Sequence, residues 1–256
     1  MSDAEAPTAG WLAVIGTGPG EAHWLTPETR DILAEATDLV GYGAYLDRVA
    51  DAGQRRHGSD NREELARART ALDLAAAGRC VAVVSGGDPG VFAMAAAVWE
   101  ALDRAEDARW DAVAVRVAPG VSAMQAVAAR AGAPLGNDFC AMSLSDNLKP
   151  WDLVCQRIRL ATQADLALAF YNPISKARPW QLGEALQVVA EQRGPATPVV
   201  LGAAVGRADK RITLTTLADV DPDQADMRTL VIVGAATTRF VGGRIYTPRS
   251  HPGCAS

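Results

Sequence analysis

Short apolar runs alternate along the chain with segments whose apolar positions recur at helical spacing. Trp11–Ile15 is one such run and ends in Gly16-Thr17-Gly18-Pro19-Gly20, which reads as a buried strand entering a tight loop. Thr26-Pro27-Glu28 supplies an N-cap, a proline at the first helical position and an acid for the helix dipole. A helix is therefore predicted over Pro27–Ala36, followed by a second strand at Leu39–Tyr42. Asn61–Ala77 carries no breaker and reads as a helix that Gly78 ends. Cys80–Val84 is a third strand and runs into Ser85-Gly86-Gly87-Asp88-Pro89-Gly90. Val91, Met94, Ala95, Val98 and Leu102 then form one stripe of a helix. Val113–Val117 is a fourth strand, ending at Pro119-Gly120, and Ser122 caps a helix that carries Met124 and Val127.

Strands that alternate with helices imply a mostly parallel sheet covered on both faces, with ligand loops at the carboxyl ends of the strands. The texture changes at Gly132-Ala133-Pro134-Leu135-Gly136, which reads as a linker. Strands are expected beyond it at Phe139–Leu144, Leu166–Tyr171, Val199–Val205, Arg211–Leu217 and Thr229–Val233. Gly206–Lys210 has the length of a hairpin connection, and Arg178–Gln192 is predicted helical. The fold class is α/β, with two α/β domains, and strand-end loops of such a framework can converge on one cleft. The first spans 11–132 with a mostly parallel sheet, and the second spans 133–245 with a mixed sheet. Residues 1–10 and 246–256 are expected to be loose, as is the tail from Arg244 onward.

Composition narrows the function classes. With 256 residues, 49% hydrophobic and 21% charged, the chain buries a sizeable core, which excludes disorder. It holds only 4 Phe, 6 Trp and 4 Tyr, so Ala, Val and Leu must build most of that core. No apolar run approaches the ~20 residues that span a bilayer. The N-terminus has no signal-peptide pattern, so a cytoplasmic location is expected. A net charge of −5 makes nucleic acid and membrane surfaces poor partners. Among the 25 basic residues only Lys149, Lys176 and Lys210 are lysines, and the arginines leave a polycarboxylate substrate open. Cys80, Cys140, Cys155 and Cys254 form no CxxC pair, and His23, His57 and His251 are scattered, so no metal site is expected. Arg55, Arg56, Arg62, Arg67 and Arg69 read as a solvated face. Neither a nucleophile elbow nor a P-loop is present.

The glycine loops carry the chemistry. Gly16-x-Gly18-x-Gly20 fails as a dinucleotide fingerprint, because Glu21 stands where its third glycine belongs and Gly41 where its acid belongs. In Gly86-Gly87-Asp88 the glycines admit a ligand close to the backbone. The carboxylate disfavours phosphate and suits a cationic or hydroxyl-bearing ligand such as S-adenosylmethionine. The same loop also reads as plain capping, with Asp88 as N-cap and Pro89 opening the helix.

Taken in order, Val14-Ile15-Gly16-Thr17-Gly18-Pro19-Gly20 with Leu25-Thr26, then Val84–Phe92, then Ala118–Ala123, resemble the tetrapyrrole methylase family. Val40-Gly41-Tyr42 with Tyr45, Asp138–Asp146 through Pro150-Trp151, and Phe170–Arg178 resemble its precorrin-3B C17-methyltransferase branch, which works in cobalamin synthesis. Uroporphyrinogen methyltransferases commonly carry an Asp where this chain has Gly43, which argues against that branch. The resemblance implies a site in the cleft between the two domains, S-adenosylmethionine as methyl donor, S-adenosylhomocysteine as product, an anionic tetrapyrrole substrate (precorrin-3B) and a homodimer. It places Pro19, Gly86, Gly87, Asp88, Val91, Ser122 and Ala123 at the donor, with Asn172, Val205, Gly234 and Ala235 from the second half. Tyr42, Lys149, Lys176 and Arg178 are the expected substrate contacts. Ring contraction needs a base and an acid, and the candidates are Glu21, His23 and Asp146. The cobalt-factor III substrate of the anaerobic route, and a non-catalytic binding module, are the alternatives.

Overall fold

The computed structural model describes residues 10–49, 53–60, 63–104, 106–250 and 253. His251, Arg62 and Cys254 lie outside the described residues. Two compact units divide between Ser122 and Ala123.

The first unit is a five-stranded sheet in the order β3-β2-β4-β1-β5. Its strands are β1 (Trp11–Gly16), β2 (Asp38–Tyr42), β3 (Arg55–Ser59), β4 (Cys80–Ser85) and β5 (Ala114–Ala118), and every pairing is parallel. Alternate residues of each strand face opposite sides of the sheet. Leu12, Val14, Val81 and Val83 pack against helices α3 (Glu64–Ala76) and α4 (Met94–Asp103) on one face. Ala13, Ile15, Ala82 and Val84 meet α1 (Pro27–Glu35) and the short α2 (Gly43–Leu46) on the other. Thr26 caps α1, its hydroxyl accepting the Thr29 N–H at 3.1 Å, as the Thr-Pro-Glu pattern predicts.

The second unit is also built on a five-stranded sheet, in the order β10-β9-β11-β8-β7. It begins with α5 (Ala123–Ala131) and the two-residue β6 (Gly132–Ala133). There follow β7 (Phe139–Ser143), α6 (Trp151–Gln163), β8 (Ala167–Tyr171) and α7 (Gln181–Ala190), then β9 (Pro198–Ala203), β10 (Arg211–Thr216) and β11 (Thr229–Val233). β7 and β8 run parallel, β11 is antiparallel to both β8 and β9, and β9–β10 is the expected hairpin. Phe170, Leu168, Leu201 and Val231 pack with Val154 and Ile158 of α6 and Leu182, Leu186 and Val189 of α7. α5 lies against the sheet through Val127. A Cβ on Gly202 would fall 2.4 Å from Val127 Cγ2, so the glycine is what admits the helix.

Several expectations need correction. The unit boundary falls ten residues before the expected 132/133, because α5 packs on β10 and β11. No apolar pattern predicts β3. It is an edge strand whose arginines face solvent, so its Arg-Arg-His-Gly-Ser sequence has no apolar alternation. α6 lies where the sequence reading has no helix, although Val154, Ile158 and Ala161 give it a buried stripe. The tail is not loose through residue 247. β12 (Arg239–Val241) and β13 (Arg244–Tyr246) form a hairpin across Gly242-Gly243, both at positive φ, and β13 pairs with β6. Thr247, 3% exposed, donates its hydroxyl to Pro134 O at 2.6 Å. Arg67 is buried, not solvated, with its guanidinium on Ser59 Oγ, Asp60 O and the Met94 sulfur.

A buried polar knot closes the opposite ends of the first unit's strands. Asp38 is fully buried and accepts from Thr37 Oγ1 at 2.7 Å and from Arg79, with His57 Nε2 2.9 Å away. Burial works to raise the Asp38 pKa, but the bonds from His57, Thr37 and Arg79 outweigh it and hold the carboxyl below its ordinary range. Among the described residues no helix is long and apolar enough to cross a membrane.

Candidate functional site

All five strands of the first unit point the same way, so the loops after Gly16, Tyr42, Ser59, Ser85 and Ala118 share one sheet edge. Three of these loops interlock. Gly18 and Gly87 exchange backbone hydrogen bonds, N–H to carbonyl, at 3.1 and 2.9 Å. A Cβ on Gly120 would sit 2.2 Å from Gly87 O, and one on Gly16 would sit 2.6 Å from Gly120 N. Both clashes are with backbone, so glycine is required at each position.

Asp88 is the tie at the centre. Its Oδ1 accepts the Gly90 N–H at 2.8 Å, and its Oδ2 accepts the Gly120 N–H at 3.1 Å. The plain-capping reading fails, because α4 begins at Met94 and Ala93 is its N-cap. Asp88 instead joins the loop after β4 to the loop after β5. An ionised carboxylate has about four acceptor positions, so two remain for a ligand hydroxyl or ammonium. Beneath the loop, the Tyr45 ring fills the space a Gly86 side chain would need, its Cζ 2.8 Å from where a Cβ would stand. Tyr45 meets Tyr42 edge-on with ring centroids 5.5 Å apart. No sequence signal gives Tyr45 this supporting role, because its contact with Gly86 exists only once β2 and β4 lie side by side.

The other predicted residues of this unit also fall at this edge. Pro19 is half-buried, Ser122 is 3% exposed, and Val91 precedes α4 beside Phe92, whose φ is +52°. Glu21 and His23 lie on the loop after β1, both exposed, with His23 Nδ1 3.6 Å from Glu21 Oε2.

In the second unit β7, β8 and β9 end at a common edge, since β11 opposes both β8 and β9. Asn172 follows β8 in the left-handed region (φ +52°), which Asn tolerates better than most side chains. Its Nδ2 donates to Ser143 Oγ, at the end of β7, at 2.9 Å. Ala204 follows β9 at φ +50°, a conformation that costs a residue with a Cβ ~1–2 kcal/mol. Its N–H reaches Arg228 O at 3.1 Å, and Val205 beside it is buried. Gly234 and Ala235 do not join this group. They follow the antiparallel β11, and Gly234 N–H donates to Pro198 O at the start of β9, so they lie at the opposite edge of the sheet. The segment at Val205's edge is Arg228–Thr229, and only the strand direction reveals it.

The charged residues of this edge are tied together. Arg178 Nη1 is 2.8 Å from Asp146 Oδ1, and its Nη2 donates to Asn147 Oδ1 at 2.5 Å. The buried Gln181 donates to the same Asp146 oxygen at 3.0 Å. Asp146 is thus a strut between the loops after β7 and β8, which does not suit the acid–base role expected of it. Lys149 donates to Ser145 O at 2.9 Å, and burial first, then the Arg157 charge, pull its pKa below the usual lysine value. Lys176 is exposed. Burial raises the thiol pKa of Cys140 and Cys155, which suits inert packing groups.

Two α/β units, with glycine-tied loops at the strand ends of the first, are the framework in which the sequence comparisons fall. Residues 12–221 match the family model described as Tetrapyrrole (Corrin/Porphyrin) Methylases, and the chain belongs to that family. It is 54% identical over 252 residues to a precorrin-3B C(17)-methyltransferase of Sinorhizobium sp, covering 96% of this chain and 99% of that protein. It is 40% identical to a probable cobalt-factor III C(17)-methyltransferase of Salmonella typhimurium, covering 94% of this chain and 99% of that one. A crystal structure of the methyltransferase CobJ superposes with a TM-score of 0.90 at 50% identity, covering 93% of this chain and 100% of that one.

Proposed function

We propose that the protein transfers the methyl group of S-adenosylmethionine to C17 of precorrin-3B, with contraction of the macrocycle to precorrin-4. The observation that carries this reading is the 54% identity to the Sinorhizobium precorrin-3B C(17)-methyltransferase, which runs through nearly the whole of both chains. The metal-free substrate is preferred to the cobalt complex because the cobalt-factor III relative stands at 40%.

The first unit's loops fit the donor on chemical grounds. Asp88 keeps acceptor positions for a ribose hydroxyl or an ammonium, on a loop that Tyr45 and Gly18 hold in place. The donor brings an already activated methyl on its positive sulfur. The protein's task is then to hold that methyl in line with the attacking carbon, which contributes by removing orientational freedom before reaction. In this proposal Pro19, Gly86, Gly87, Asp88, Val91 and Ser122, all of the first unit, hold the donor. Tyr42, Lys149 and Lys176 serve the substrate. Glu21 and His23, on the loop after β1, are the pair proposed to move protons during contraction.

A transfer assay with donor labelled in the methyl group tests the reading. Label in the tetrapyrrole supports it. Donor binding by calorimetry without label transfer supports the binding-module alternative instead.

A further inference from the structure

The turn from Ser175 to Arg178 leaves two polar atoms unsatisfied. Ser175 Oγ and Arg178 Nε are both buried and without a hydrogen-bond partner. The two residues already close the turn on each other, with Arg178 N–H donating to Ser175 O at 3.0 Å and Ser175 N–H to Arg178 O at 3.3 Å. Buried polar groups are nearly always paired, so two orphans in one turn call for a partner. Both carry a hydrogen to donate, so the partner they select is an acceptor.

The rest of the guanidinium is fixed. Its Nη atoms are held by Asp146 and Asn147 of the neighbouring loop, and Gln181 locks Asp146 from the first position of α7. Asp146 neutralises part of the charge but leaves Nε unmatched. Lys176 sits inside the turn and is exposed. The loop follows β8 and Asn172, at the edge where β7 and β9 also end.

We propose that Ser175 Oγ and Arg178 Nε form a subsite for one peripheral carboxylate of the substrate, with Lys176 supplying charge at its mouth. Asp146 and Asn147 are positioning residues that aim the guanidinium. The inference rests on the tetrapyrrole reading and assigns one of that molecule's acetate or propionate groups to a named pair of donors.

Ser175→Ala is the decisive variant. Removing an unpaired buried hydroxyl deletes no hydrogen bond of the protein, so the melting temperature stays the same or rises. The KM for precorrin-3B rises about tenfold, the size expected for loss of a hydrogen bond to a charged group. The kcat and the dissociation constant for S-adenosylhomocysteine stay unchanged. Arg178→Gln raises KM further. Asp146→Asn raises KM while keeping the acid limb of the pH–rate profile, as a positioning residue should. An unchanged KM in Ser175→Ala overturns the subsite, as does a KM rise matched by weaker S-adenosylhomocysteine binding. A wild-type protein that neither binds nor turns over precorrin-3B overturns the functional reading and the subsite with it.

Discussion

The carboxylate of Asp88 accepts the backbone N–H of Gly120 at 3.1 Å, across the gap between the loops that follow β4 and β5. Sequence places these residues 32 apart. The parallel sheet brings them together because β1 lies between β4 and β5 and all three end at the same edge. One side chain thus ties two loops together and retains two of its acceptor positions.

Asp88→Ala removes both ties. The expected result is a loss of ~1.5–3 kcal/mol of stability in chemical denaturation, the range for hydrogen bonds to a charged group. S-adenosylhomocysteine binding, read by calorimetry at a temperature where the variant is folded, should weaken as well. A variant that binds the product normally would remove Asp88 from the donor site.

Gly120→Ala places a methyl 2.2 Å from Gly87 O. Backbone must move to accept it, and overpacking of this kind costs ~1–3 kcal/mol. The loops interlocked here should separate, so donor affinity should fall while the far-ultraviolet circular dichroism spectrum stays that of the wild type.

Asp38 makes stability depend on pH. Its folded-state pKa is depressed, so the unfolded chain takes up the proton first as pH falls. The contribution is complete above the unfolded carboxyl pKa of about 4 and is lost as pH drops through the lower folded value. Urea midpoints measured from neutral pH down into that range should fall more steeply for the wild type than for Asp38→Asn. Parallel curves would show that the knot with His57, Thr37 and Arg79 does not titrate with unfolding.

Arg193 is 8% exposed and pairs with Asp165 while donating to Thr162 O and Leu166 O, each at 3.3 Å. Asp165, held at φ +56°, also accepts the Ala236 N–H at 2.8 Å. Arg193→Ala leaves Asp165, whose side chain is 41% exposed, in contact with water but strips donors from the carbonyls of Thr162 and Leu166, so a loss of ~1–3 kcal/mol is expected in thermal or chemical unfolding.

Where apolar periodicity is strong, sequence and structure agree. The strands at Trp11, Cys80 and Thr229 and the Thr26 cap follow from short-range pattern, because a buried strand must be apolar and a cap needs a hydroxyl or carboxylate. β3 leaves no such signature, because an exposed edge strand satisfies its backbone without an apolar side chain inside. The strand-end loops of the first unit are legible as glycine clusters after strands, yet the reason for each glycine lies in contacts between loops far apart in sequence. Gly234 and Ala235 cannot be placed from sequence because loop composition carries no record of strand direction, and β11 runs against β9. Asp146 reads as a free acid in its loop, and only Arg178 and Gln181, more than thirty residues away, show it occupied.

The account is tested most directly by giving the protein precorrin-3B and S-adenosylmethionine with a ¹³C-labelled methyl, then locating the label in the product by NMR. The expected product carries the labelled methyl on C17 of a contracted macrocycle. Label on another carbon, or a methylated ring of the original size, would contradict the proposed reaction.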